Sequence, residues 1–268
     1  MVQGRVFLFQ LLASLFLFTS CNEYQKALKN EDTKVKYELA EKYYNEGDYK
    51  RAVRLYEQIV PSFIGKPQGE RVIYFYADSY YKLKDYYLSG YQFERFSSAY
   101  PKSDKAEEAA FYGAKSYYYL SPKYSIDQTD TNKAIGKLQD YINSYPNSER
   151  ISEANEMVQE LRAKLEKKAF ETAKQYNTIR DYYASIRSFE LFLLDYPGSV
   201  YREDAMYHKF IASYNLAINS IYSKQEERLN DAKAAYNTLK KYYPATKYTE
   251  EAEKMLATIE QQLKRFSK

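Results

Sequence analysis

Residues 70–103 read ERVIYFYADSYYKLKDYYLSGYQFERFSSAYPKS, and the fold can be read from this stretch. Ala77 is followed three residues later by Tyr80, nine later by Tyr86 and twelve later by Ser89. Phe93, Phe96 and Tyr100 then recur at the three- and four-residue spacing of one helix face. Pro101 ends that helix, because it lacks an amide donor and disfavours helical geometry in Tyr100 before it. Ser103, two residues on, supplies a hydroxyl suited to capping the next helix.

The same spacings recur along the chain. Ala40, Tyr43, Tyr49 and Ala52 repeat the first half of the pattern, as do Ala173, Tyr176, Tyr182 and Ser185, with a fragment at Ala114-Lys115-Ser116-Tyr117. The closing half returns as Leu138, Tyr141, Tyr145, Pro146 and Ser148. It returns again as Phe189, Phe192, Tyr196, Pro197 and Ser199, and as Tyr236, Leu239, Tyr243, Pro244 and Thr246. Five units follow, at about 33–64, 70–103, 104–148, 149–199 and 200–248. The later ones are longer than residues 70–103, so helices are lengthened or loops inserted, at Ser121–Thr131 and near Ser223–Asn230. Residues 249–266 form a last amphipathic helix, with Ala252, Met255, Leu256, Ile259, Leu263 and Phe266 on one stripe, suited to closing the open end of a stack. The stretch Ile151–Arg180, free of Gly and Pro, predicts a stiff helical junction between front and back halves.

Composition agrees with an all-α chain. Eight Gly and seven Pro in 268 residues are too few for a turn-rich β protein, while 33 Tyr supply large rings with polar tips for half-buried helix contacts. The 40 basic and 36 acidic residues are interleaved, without the clustered basic footprint that nucleic acid requires. One cysteine excludes an internal disulfide, and one histidine, His208, excludes a Cys/His metal cluster. His208 reads as a packing residue. No Gly-rich phosphate loop, H-E-x-x-H or nucleophile elbow is present, so no catalytic residues, metal or cofactor are expected.

Residues 1–20 read as a processing segment. Arg5 precedes a mostly apolar run, Val6–Phe18, of about 13 residues, too short for a span of about 20. It leads to Phe18-Thr19-Ser20-Cys21, which resembles a bacterial lipobox, with Phe18 in place of the usual Leu. That resemblance implies cleavage before Cys21 and acylation of Cys21; several acyl chains anchor stably. Asn22, rather than Asp, implies the outer membrane. The expected organisation is a signal segment at 1–20, a lipidated tether at 21–32, three N-terminal repeats at 33–148, and two repeats with the capping helix at 149–268.

The repeat pattern resembles the tetratricopeptide repeat, whose period is 34 residues. The resemblance implies a right-handed solenoid of about five helix pairs plus a C-terminal capping helix. It assigns Tyr43, Tyr56, Tyr80 and Phe93 to packing. The residues it turns toward the concave face are Lys34, Tyr37, Glu41 and Tyr44 in the first unit. In the second they are Arg71, Tyr74, Asp78 and Tyr81, with Phe75 at the rim. Such an aromatic groove suits an extended peptide, held at its backbone by Tyr hydroxyls.

The leader, the repeat number and the Tyr-Pro-x-Ser endings together resemble the BamD lipoprotein family of the β-barrel assembly machinery. The resemblance implies a lipid-anchored, non-enzymatic scaffold on the periplasmic face of the outer membrane. It implies binding of unfolded outer-membrane β-barrel proteins by the N-terminal groove (Tyr37, Tyr44, Tyr74, Phe75, Asp78 and Tyr81). It also implies binding of the periplasmic POTRA region of BamA by the C-terminal repeats, with Arg187 as the candidate contact, and association with other assembly lipoproteins. The rival expectation is another envelope repeat lipoprotein that coordinates cell-wall or secretion factors, or binds glycans through its tyrosines.

Overall fold

A computed structural model describes residues 23–266; Cys21 and the leader lie outside them. The described residues form helices joined by turns and loops, without a strand. A short helix, α1, covers 23–29. It is followed by α2 (Thr33–Asn45), α3 (Tyr49–Phe63), α4 (Gly69–Lys82), α5 (Tyr86–Ala99), α6 (Ala106–Leu120) and α7 (Thr129–Ser144). Then come α8 (Ile151–Thr178), α9 (Tyr182–Asp195), α10 (Arg202–Ile218), α11 (Tyr222–Tyr242) and α12 (Thr249–Leu263). These bounds reproduce the five helix pairs and the closing helix expected from the repeats. None of the described helices is long and apolar enough to cross a membrane.

The chain packs as two compact units. The first runs to Pro122 and resumes over Asp127–Leu161; the second takes Lys123–Ile126 and continues from Arg162. The boundary falls inside α8. In the first unit each helix packs on the next from α2 to α7, and α4 also touches α2 and α6. The first helices of successive pairs therefore lie side by side as one layer. Tyr43, Tyr56, Tyr80, Phe93 and Phe96 are buried there, and Phe111, Leu138, Tyr141 and Leu161 continue the core. In the second unit Phe170, Phe189 and Phe192 form one cluster, and Phe210, Leu229, Tyr236 and Leu239 another. Helix α12 covers the latter with buried Ala252 and Ile259, flanked by Met255, Leu256 and Leu263.

Turns within three of the five pairs share one device. Gly47, Lys84 and Arg180 sit in the left-handed region, at φ 80°, 61° and 65°. Each precedes an Asp whose carboxylate accepts the amide of the third residue on: Asp48 from Arg51, Asp85 from Leu88 and Asp181 from Ala184. The left-handed residue closes the first helix and the Asp caps the second.

The turns after the second to fifth pairs share another. The four Tyr residues before Pro leave the helix at φ near −130° (Tyr100 at −127°, Tyr145 at −130°, Tyr196 at −124°, Tyr243 at −132°). The Ser or Thr that follows accepts the amide two residues on, but each helix begins only at the third, so the hydroxyl caps the approach to the helix. The same hydroxyl donates to a glutamate on the preceding first helix. Ser103 donates to Glu70 at 2.5 Å, Ser148 to Glu107 at 2.8 Å, Ser199 to Glu166, and Thr246 to Glu203 at 2.6 Å.

The two expected insertions differ in kind. Residues 121–128 form a loop before α7. Ser223–Asn230 is instead helical and lengthens α11 to 21 residues, because the run Lys224–Leu229 consists of good helix formers and buries Leu229.

Candidate functional site

A groove of about 640 Å³ opens over the first layer of the first unit. Helix α4 supplies its floor with Arg71, Tyr74, Phe75 and Asp78, because residues three and four apart share a helix face. Tyr44 from α2 forms one wall, and Lys105, Glu108 and Tyr112, at and beyond the start of α6, form the other. Four of the residues expected in the groove are thus brought together: Tyr44, Tyr74, Phe75 and Asp78. Tyr81 is not part of this lining but packs on Tyr112 with ring centres 4.9 Å apart, continuing the aromatic surface to Tyr86 and Tyr119, which stack at 4.5 Å. Tyr37 is outside the lining but beside it: its ring lies 6.5 Å from Phe63, and its hydroxyl faces Glu41, the partner of the groove residue Arg71.

The groove is polar beneath its rings. Tyr44 donates from its hydroxyl to Asp78 Oδ2 at 2.5 Å, and Tyr74 to Glu108 Oε1 at 2.8 Å. Burial, reinforced by these carboxylates, pushes both phenols well above their ordinary pKa, so they remain neutral donors. Burial acts to raise Glu108, but hydrogen bonds from Lys105 and Tyr74 outweigh it and hold the carboxyl below the usual value. Glu108 is therefore ionised. Arg71 pairs with Glu41 and lies 5.3 Å above the Phe75 ring; Lys105 pairs with Glu108 at 2.6 Å and lies 5.4 Å above Tyr74. Because the Tyr44 and Tyr74 hydroxyls already donate internally, what they offer a peptide is a ring face and an acceptor lone pair, not a free donor.

Lys105, Glu108 and Tyr112 were not singled out in the sequence. They stand one 34-residue period after Arg71, Tyr74 and Asp78, so carrying the same register into the third unit would have found them.

The second unit carries its own groove, of about 740 Å³, bounded by Tyr183, Arg187 and Glu190 of α9, Lys209 of α10 and Asp231 of α11. Arg187 is exposed there and pairs with Glu190 at 3.2 Å, while Lys209 reaches the same carboxylate at 3.0 Å. Burial raises Glu190, but Lys209 and then Arg187 overcome it, so the carboxyl is held low. Tyr183, Leu191 and Leu194 leave an exposed apolar stripe along α9. His208 is stacked on Phe189, with ring centres 6.0 Å apart, in the packing role expected of it.

No curated protein matches the chain. Among solved structures, the crystal structure of TPR-like repeats from a protein described as a kinesin light chain of Podosopora anserina is similar, at a TM-score of 0.32. Identity is 14%, over 88% of this chain and 100% of that one. The family model for the outer membrane lipoprotein YfiO matches residues 29–229, a span that takes in the whole first groove and most of the second. The chain therefore belongs to the YfiO family of outer membrane lipoproteins.

Proposed function

We propose that the chain is a non-enzymatic scaffold, anchored by acylated Cys21 at the periplasmic face of the outer membrane, that supports insertion of β-barrel proteins. Family membership supports the location. The observation that carries the reading is the first groove: ring faces of Tyr44, Phe75 and Tyr74 laid along one helix layer, with charges of both signs at the rim. An extended segment with alternating aromatic side chains fits such a surface, its amides reaching phenol and carboxylate oxygens. The second unit would contact the POTRA region of BamA through Arg187 and the apolar stripe beside it. Other assembly lipoproteins would join the same complex. The acyl anchor confines both grooves to the membrane surface and raises their effective concentration near BamA.

The test is site-specific photocrosslinking in intact outer membranes, with the probe at Phe75 or at Arg187. Unfolded barrel proteins captured from Phe75, and BamA from Arg187, are expected. Capture of cell-wall factors or glycan at either position would overturn the assignment. Cys21→Ser should release the protein from the membrane fraction.

A further inference from the structure

The floor of the first groove contains a buried carboxyl group that forms no ion pair. Asp78 is only 5% exposed, yet it borders the groove. Its Oδ2 accepts from Tyr44 at 2.5 Å, and no described residue donates to its Oδ1. No Lys or Arg pairs with it among the described residues. Two of the rim cations are already engaged, Arg71 with Glu41 and Lys105 with Glu108. Lys82, one turn along α4, borders the same groove without forming an ion pair to Asp78. A buried carboxylate without a cation is costly unless something supplies one.

What surrounds Asp78 favours a particular class of cation. The Tyr44 and Phe75 rings lie 4.5 Å apart and tilted, and Tyr74 stands edge-on to Phe75 at 6.0 Å. Ring faces attract ammonium and guanidinium groups, and they also pack the apolar stem of a Lys or Arg side chain. A metal ion would need several oxygen ligands, and no group of acidic or histidine side chains placed to hold one occurs among the described residues.

We propose that this pocket takes a basic side chain, Lys or Arg, of the bound polypeptide, its charge on Asp78 and its stem laid across the exposed edges of the Tyr44 and Phe75 rings. The proposal rests on the first groove being a peptide site and adds what it selects: an extended segment carrying a basic residue beside its aromatic ones. Because the pair forms below the rim, its contribution resists salt better than the exposed Arg71 and Lys105 pairs.

The experiment uses the full acylated protein in detergent and two fluorescent peptides of alternating aromatic and polar residues. They are identical except for one central position, Lys in one and norleucine in the other, and binding is read by anisotropy. The Lys peptide should bind about tenfold more tightly, the size of one desolvated cation–π and ion-pair contact. In Asp78→Asn, which keeps the side-chain shape and an acceptor for Tyr44, the two peptides should bind alike. Equal binding of both to the wild type overturns the basic-residue proposal and leaves the peptide groove standing. So does a Lys preference that survives in Asp78→Asn. If neither peptide binds the wild type, the groove reading fails and the proposal with it. If Asp78→Asn does not fold, Asp78→Ser takes its place, with the same two outcomes.

Discussion

Replacing Glu107 by Ala should destabilise the first unit by about 2–3 kcal/mol. Glu107 Oε1 accepts from Tyr141 at 2.5 Å and from Ser148 at 2.8 Å, and Oε2 from Arg150 at 2.7 Å. The Glu107 and Arg150 side chains are 30% and 35% exposed, so their ion pair is weakened by solvent and contributes about 0.5 kcal/mol. Tyr141 is buried, and its hydroxyl would retain only Ser148, at 2.7 Å. Losing this acceptor for a buried phenol costs about 1.5–2 kcal/mol, and the Ser148 bond adds roughly 0.5 more. For a unit of this size the melting temperature should fall by roughly 5–10 °C, followed by far-ultraviolet circular dichroism. Combining Glu107→Ala with Ser148→Ala should show coupling of about 1 kcal/mol. A loss below about 0.5 kcal/mol, or additive single effects, would refute the view that these hydroxyl–carboxylate links hold neighbouring pairs together.

Three further outcomes are expected. Lys84→Gly should raise stability by up to about 1 kcal/mol, because Lys84 occupies a left-handed position that glycine enters without strain; urea unfolding would show it. Tyr56→Phe should leave stability unchanged or improve it by about 1 kcal/mol, since that buried hydroxyl has no hydrogen-bond partner among the described residues; a loss above that size would contradict it. Burial and then the Lys174 charge push the His208 pKa below its ordinary 6.5, against the opposite pull of Asp204 and Glu171, so the unfolded chain binds its proton more readily. Stability should therefore fall as pH drops through about 6.5, and thermal melts of His208→Gln should lack that component.

The helix pairs were legible because their signals are local. Apolar residues three and four apart, a Pro after Tyr and an Asp before Tyr act within one turn of where they stand. The links that join one pair to the next were not legible. Ser103, Ser148, Ser199 and Thr246 stood out, but Glu70, Glu107, Glu166 and Glu203 lie 33 to 43 residues earlier, among many other acids on helix faces. The groove was half legible. Register placed Tyr44, Tyr74 and Asp78 on one face, but it could not show that Asp78 would be buried there, nor that Tyr37 would stop short of the lining, beside Phe63 and Glu41.

The pairing of phenols with carboxylates also gives the molecule a built-in optical signal. The chain has no tryptophan, so its ultraviolet emission comes from tyrosine alone. Tyr44, Tyr74, Tyr117, Tyr118, Tyr141 and Tyr248 each donate to an Asp or Glu, a contact that drains the excited phenol before it can emit. These six of the 33 tyrosines should emit little in the native protein and brighten as the helices come apart, so unfolding can be watched without a label.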